Sequence, residues 1–430
     1  MTASLVAFAV LLALIFVRVP IAFAMALVGG AGFAMLRGVD PALEMMAQHA
    51  RQTVLTSDLS VVPLFILMGN FVARSRLAEE LYDAAHAFVG HFRGGLAMAT
   101  ILACGAFSSV CGSSLATAAT MTNVSLPPMR RKGYATSLAA ASVAAGGTLG
   151  NLIPPGTVTV LYGIMTNTNI GHLFIACIIP GLLAVVLLIG AIVWATYFNP
   201  ALGPADRRVA WRERGPALAK VWGLLLLFAV VMGGIYFGVF TATEAAGIGA
   251  FGGFLFAWAK GTLTLRGLRE TLAATAITSA ALFFVLIGAL IFADFVTAAG
   301  FSAAVSGWLK SLDIAPLAVI GIIVVIYLLL GTALEGISIV LLTVPIFFPI
   351  VTGFGFSPIW FGILVIVVTE ISLISPPVGL NYSIISTMVP DIPEREIVKG
   401  LTPFLAAELI LVAILTAFPS ITLLLVPGAK

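Results

Sequence analysis

The chain has 430 residues, of which 61% are hydrophobic and only 9% charged, with a formal net charge of +3. A soluble domain carries roughly 25% charged residues, so this balance excludes a water-soluble globular protein. Apolar runs long enough to cross a bilayer as helices recur from end to end. The class is an all-α polytopic membrane protein.

The first run, Ala3 to Val17, lacks a basic start and a small-residue cleavage site, and reads as a retained helix rather than a signal peptide. A hinge at Arg18-Val19-Pro20 leads to a second run, Pro20–Leu36, then an amphipathic stretch, Pro41–Leu55, and a third run, Pro63–Ala73. Residues 77–92 place charges on one side and aromatics on the other, as suits a helix lying in the interface plane. Residues 94–127 are too long for one span and carry GAFSSVCGSSLATAATMTN (Gly105–Asn123), which predicts a re-entrant hairpin. A second interrupted helix, 134–166, contains GNLIPPGTVTV (Gly150–Val160), and the run His172–Phe198 closes this half.

Residues 199–218 form the most polar linker, and the order then repeats. Runs Val221–Val239, Glu244–Ala259 and Thr271–Asp294 and an amphipathic piece, Phe295–Leu312, lead to a second hairpin at 315–354 containing GTALEGISIVLLTVPIF. A second Pro-Pro helix, 358–388, carries ISLISPPVGLN, and Phe404–Leu425 is the last span. The chain therefore divides into a first repeat (1–198), a linker (199–218) and a second repeat (219–430).

Charge sets orientation through the positive-inside rule. Arg93 and Arg130, Arg131 and Lys132 at the base of the first hairpin place it toward the cytoplasm, as do Arg207, Arg208, Arg212 and Arg214 in the linker. The base of the second hairpin has only Lys310 and Asp313, so it faces the other way. Counting from the linker gives five crossings per half, which requires inverted-topology repeats and puts both termini in the periplasm.

Helices that unwind in hydrocarbon must find partners for their freed backbone groups, and do so only inside protein or beside a cavity. Two matching pairs of breaks therefore predict a binding site near the midplane. Carbonyls and hydroxyls are hard ligands suited to Na⁺, while half-helix N-termini attract carboxylates. The first tip offers Ser108, Ser109, Ser113, Ser114 and Thr117, with Asn151, Gly156 and Thr157 at its partner break. The second offers Thr332, Glu335, Ser338 and Thr343, with Ser375, Gly379, Asn381 and Ser383 opposite. From this set Ser108, Gly156, Thr157, Glu335 and Asn381 are the candidate substrate contacts. The bland alternative is that small residues merely allow close helix packing.

No Lys or Arg occurs at 94–129, 133–206 or 311–394, so an anion at the breaks cannot rely on their side chains and needs co-bound cations. Among the intramembrane acids, Glu335 is the strongest functional candidate and Glu370 the next, whereas Glu244, Asp294 and Asp58 near span ends suit structural roles. Cys104, Cys111 and Cys177 read as buried small hydrophobes. The histidines form no HExxH pattern or zinc-spaced cluster, and no Walker loop, GxGxxG or GxSxG appears, so neither an enzyme, an organic cofactor nor a nucleic-acid partner is expected.

The runs PLFILMGNF (Pro63–Phe71), AAGGTLGNLIPPG (Ala144–Gly156), IPG (Ile179–Gly181), TEAAGIGA (Thr243–Ala250), LEGISIVLLTVPIFFPI (Leu334–Ile350) and ISPPVGLN (Ile374–Asn381) closely resemble the large membrane subunit of tripartite ATP-independent periplasmic (TRAP) transporters, in order and over nearly the whole chain. The resemblance implies an ion-transporter-superfamily elevator in the bacterial inner membrane that imports organic acids on a Na⁺ gradient. It also implies a small four-helix membrane subunit, expected as a separate chain, and a periplasmic substrate-binding protein. By the same analogy Ser109, Ser113 and Asn151 belong to one Na⁺ site, and Gly331, Thr332, Thr343 and Gly379 to another. Two positions depart from the family pattern: Asn151 stands where an aliphatic residue is common, and Gly156 where Ser is. The rival expectations are a stand-alone Na⁺/dicarboxylate carrier and, from another class, a membrane-embedded enzyme; a channel would need a continuous polar lining that paired discontinuous helices do not supply.

Overall fold

The computed structural model describes residues 2–312, 314–332, 334–377 and 379–428. The expectation resting on Lys310 and Asp313, and the side chain of Asp58, lie outside the described residues. All regular structure among the described residues is helical, as a bilayer requires of a chain that cannot close a barrel.

Helix α1 (Thr2–Phe16) ends at the hinge, where Arg18 takes φ +69°, and α2 (Ile21–Arg37) follows. Gly38 at φ +99° turns the chain into the amphipathic α3 (Val39–Leu55). Helix α4 (Val61–Arg74) bends by 68° into α5 (Leu77–Val89), which forms over the segment expected to lie in the interface plane. The first hairpin is α6 (Gly95–Cys111) and α7 (Ser114–Arg131). The first interrupted helix is α8 (Thr136–Gly147), α9 (Leu149–Leu152) and α10 (Thr157–Thr166), and α11 (Ile170–Phe198) closes the half.

The linker is less irregular than its polarity suggests, because α12 (Trp211–Lys220) forms within it and bends by 52° into α13 (Trp222–Tyr236). Arg214 of α12 is buried, with its guanidinium 4.4 Å from the Trp211 ring centroid and 5.6 Å from that of Phe88 on α5, so cation–π packing holds the helix down. Helix α14 (Ala242–Ala259) opens with a Thr241–Glu244 capping box, which gives Glu244 a structural role. Helix α15 (Leu265–Ala298) runs past the expected end at Asp294, and α16 (Phe301–Ser311) is the remnant of the amphipathic piece. The reason is visible in the side chains: Phe295 and Val296 are buried and continue the apolar face of α15. The second hairpin is α17 (Pro316–Gly331) and α18 (Gly336–Gly353). The second interrupted helix is α19 (Pro358–Ser372) and α20 (Leu380–Met388), followed by α21 (Glu394–Ala417) and α22 (Ser420–Leu423). The last span thus begins ten residues before the expected Phe404.

Among the described residues four single helices, α11, α15, α18 and α21, are long and apolar enough to cross a membrane alone, and the bent pairs raise this to six. Five shorter apolar helices of 10–17 residues include the first arm of each hairpin, α6 and α17, and the first part of the second interrupted helix, α19.

Two long contacts organise the outer layer: α2 lies along α15, and α14 lies along α4. Small residues permit the first, since a Cβ on Gly29 would stand 2.7 Å from Phe292 Cα. Asn70 Nδ2 donates to Thr275 Oγ1 at 2.9 Å, tying α4 to α15. The inner layer is crossed: α10 packs on α18 of the second hairpin, and α20 packs on α7 of the first. Each break therefore lies against the opposite half's hairpin.

Candidate functional site

Each hairpin turns where its sequence forbids a continuous helix. In the first, Gly112 caps α6 at φ +60° and Ser113 N-caps α7, accepting from Ala116 N at 3.4 Å. The tip docks on the first break, where Thr157 N donates to Gly112 O at 3.3 Å and Thr157 Oγ1 lies 3.2 Å from the same oxygen. Gly112 has to be glycine twice over, for its φ and because a Cβ would run into Pro155 O. In the second hairpin Gly331 closes onto Ser372 at the end of α19, and Glu335 begins α18.

Four segments converge on a cavity of about 40 Å³. The first tip supplies Ser113, Ser114 and Leu115, and the first break Asn151, Thr157 and Val158. The second tip supplies Glu335, Gly336 and Ile337, and the end of α19 Glu370 and Leu373. The volume holds an ion or a water. A larger recess of about 430 Å³ at the base of the first hairpin is lined by Phe92, Arg93, Met98, Val193, Thr196 and Tyr197 and lies away from the two tips and the two breaks.

The cavity is held by one network. Glu370 is 2% exposed. Its Oε2 accepts from Ser114 Oγ at 2.5 Å and its Oε1 from Asn151 Nδ2 at 2.8 Å. Asn151 Nδ2 is also 2.9 Å from Ser114 Oγ, while Asn151 Oδ1 accepts from Thr157 Oγ1 at 3.1 Å and Val158 N at 3.4 Å. Asn151 is thus the strut between the two halves of the chain, a task that an aliphatic side chain at this position cannot perform. No Lys or Arg lines the cavity. Among the described residues no group of three or more His, Cys, Asp and Glu could hold a metal ion.

The structure therefore brings Ser113, Asn151, Thr157 and Glu335 together, with Gly156 at the N-cap of α10. The other candidates do not line this cavity. Ser108 is fully buried between the hairpin arms, 3.5 Å from Thr117 Oγ1, and Ser109 Oγ donates to Ala106 O. Thr332 Oγ1 donates to Leu329 O, and Thr343 Oγ1 is 2.6 Å from Tyr327 Oη inside the second hairpin. Gly379 N-caps α20, and Asn381 faces the first half, donating to Ala144 O at 3.1 Å. Asp294 pairs with His49 at 2.7 Å, which ties α15 to α3. Glu408 is missing from the sequence expectations, although a single acid inside an apolar run is the same signal that selects Glu370. It is buried on α21 beside Thr148.

The polar ends are cross-linked. Lys132 at the base of the first hairpin pairs with Asp206 of the linker at 2.8 Å, and Arg130 pairs with Asp391 before α21 at 2.9 Å. Lys132 holds the Asp206 carboxyl below its ordinary value.

A family model described as "Tripartite ATP-independent periplasmic transporter, DctM component" matches residues 8–421. The chain is 36% identical over 369 residues to the C4-dicarboxylate TRAP transporter large permease protein DctM of Pseudomonas aeruginosa, covering 85% of this chain and 86% of that one. It is 31% identical over 421 residues to the sialic acid TRAP transporter large permease protein SiaM of Vibrio cholerae, covering 96% of each. Its fold is similar to that of the YdaH transporter of Alcanivorax borkumensis, with a TM-score of 0.68 at 14% identity over 91% of this chain and 90% of that one. With the model match running almost end to end through both hairpins and both breaks, this chain belongs to the family of large permease subunits of tripartite ATP-independent periplasmic transporters.

Proposed function

We propose that this permease imports an organic acid together with Na⁺, by elevator-type alternating access, from a periplasmic substrate-binding protein and alongside a small membrane subunit. The observation that carries the coupling is the lining of the central cavity: Glu335 and Glu370 face it and no Lys or Arg does. A carboxylate entering there meets like charge, and several kcal/mol of repulsion and desolvation oppose it. Co-bound Na⁺, held by tip hydroxyls and unwound carbonyls, offsets that cost. A cavity of about 40 Å³ is too small for an organic acid, so substrate entry requires a hairpin tip to lift from its break. In this reading α6–α10 and α17–α20 carry the site as a mobile body, while α2, α4, α14 and α15 form the scaffold. The polar ends joined by Arg130, Lys132, Asp206 and Asp391 face the cytoplasm, and the two halves are inverted repeats of the inner-membrane protein. The matched relatives' names, covering a C4-dicarboxylate and a sialic acid, support an organic acid as the cargo class.

Reconstitution tests this. Uptake into proteoliposomes requires an inward Na⁺ gradient, the small subunit and a loaded binding protein. Transport of free substrate at full rate by this chain alone would overturn the tripartite reading.

A further inference from the structure

Glu408 is not used by that mechanism. It sits mid-way along α21, 5% exposed, with Oε2 lacking any partner. Its Oε1 lies 2.5 Å from Thr148 Oγ1, and Thr148 Oγ1 lies 2.6 Å from Ala145 O. A hydroxyl carries one proton, and a carbonyl oxygen can only accept. If Thr148 donates to Ala145 O, it has no proton left for a carboxylate. Both contacts are hydrogen bonds only when Glu408 itself donates, as a carboxylic acid, to Thr148 Oγ1. Glu370 differs in kind, because it has two separate donors, Ser114 and Asn151. An ionised Glu408 would have at most one contested donor and no cation, in a place where each missing partner costs several kcal/mol.

The location connects this group to the cavity. Thr148 is the joint between α8 and α9, and Asn151, the strut on Glu370, lies three residues farther along the same turn. Of the elements packed on α21, α8 carries no titratable side chain, α11 carries His172, Cys177 and Tyr197, α20 carries Tyr382 and α19 carries Glu370. Glu370 is the other carboxyl on these elements.

We propose that Glu408 is a proton-binding site, occupied in this conformation, whose occupancy holds the Thr148 joint and through it the position of Asn151. Loss of the proton turns the Thr148 hydroxyl toward the carboxylate and leaves Ala145 O to Thr148 N alone, at 3.1 Å, which weakens the joint ahead of the first break. A proton is then a second ion to which the transport cycle responds, a consequence that rests on the function proposed above, whereas the protonation itself does not.

Infrared spectroscopy of the purified permease in micelles, titrated with pH, tests it directly. The carbonyl-stretch band of a buried carboxylic acid is present in the wild type and in Glu370→Gln, and is lost in Glu408→Gln. A band of undiminished amplitude in Glu408→Gln overturns the proposal. Thr148→Val provides a second variant: removing the acceptor shifts the band to the higher frequency of an unbonded acid, and an unmoved band contradicts the assigned hydrogen bond. In proteoliposomes holding the complete transporter at fixed Na⁺, uptake by the wild type falls about tenfold per pH unit above the titration midpoint, and Glu408→Gln flattens that slope. An identical slope in both proteins refutes the link to the cavity while leaving Na⁺ coupling standing.

Discussion

Replacing Asn151 by leucine, similar in volume and apolar, isolates what the amide does. The change removes the donor to Glu370 Oε1 and the acceptor for Val158 N, while Thr157 Oγ1 keeps Gly112 O as an alternative partner. One charge-assisted bond to a buried carboxylate contributes about 1.5–3 kcal/mol, and the orphaned Val158 amide adds about 1 kcal/mol against the variant. Part of this is recovered by relaxation, so the docking of the first break weakens by about 2–3 kcal/mol, or roughly 30- to 150-fold in its opening constant. Hydrogen exchange read by mass spectrometry reports that opening in peptides covering residues 153–160. Exchange there accelerates by this factor, while peptides from α2 and α15 are unchanged. Placing the same substitution in a Glu370→Gln background reduces its effect, since the pair is coupled. Acceleration of less than about threefold, or full additivity with Glu370→Gln, would refute the strut.

Gly29→Ala drives a methyl group into the backbone of α15 at Phe292, and overpacking of that kind costs about 1–3 kcal/mol; a lowered thermal midpoint of the purified protein checks it. Asp206→Asn removes the partner of Lys132 and His86 and destabilises by about 1 kcal/mol or less per exposed pair at neutral pH. Because the folded carboxyl is held below its ordinary 3.8, chiefly by Lys132, its contribution is present above that pH and is lost as pH falls through the lower folded value. The wild type and the variant should therefore converge in thermal stability below pH 3.8. Ser113→Ala, which alters the cavity wall, raises the Na⁺ concentration for half-maximal uptake. Thr343→Val, buried against Tyr327, lowers stability by about 1 kcal/mol instead and leaves that concentration within about threefold.

Much of the fold was legible because its signals are local. Gly112-Ser113 and the Pro-Pro pairs at 154–155 and 376–377 interrupt helices near the expected places, whereas Pro127-Pro128 sits inside α7, which runs on to Arg131 beyond the expected end at 127. Boundaries set by tertiary packing were not legible: α15 continues beyond Asp294 because Phe295 and Val296 are buried, and α12 is held by Arg214 between aromatic rings. The same limit applied to the site. Hydroxyls at a tip look alike in sequence, yet Ser113 reaches the cavity, Ser108 is shut between the arms, and Thr343 turns to Tyr327. Asn381 was offered because it follows the second Pro-Pro break, and crossing of the two halves carries its side chain to Ala144. The pairing of Asn151 with Glu370 spans 219 residues, and no spacing rule could give it. Glu408 could have been found from its lone charge; its partner Thr148 could not.

Glu335 and Glu370 line the central cavity and no Lys or Arg does, and on the proposed function an anion travels there with cations. The most direct test counts both in one preparation: radiolabelled Na⁺ and radiolabelled substrate, entering proteoliposomes that hold the complete transporter and a loaded binding protein. Na⁺ enters in fixed proportion to substrate, and omitting the binding protein abolishes both fluxes. Substrate uptake at full rate in Na⁺-free medium, or with no Na⁺ accompanying it, would contradict the account.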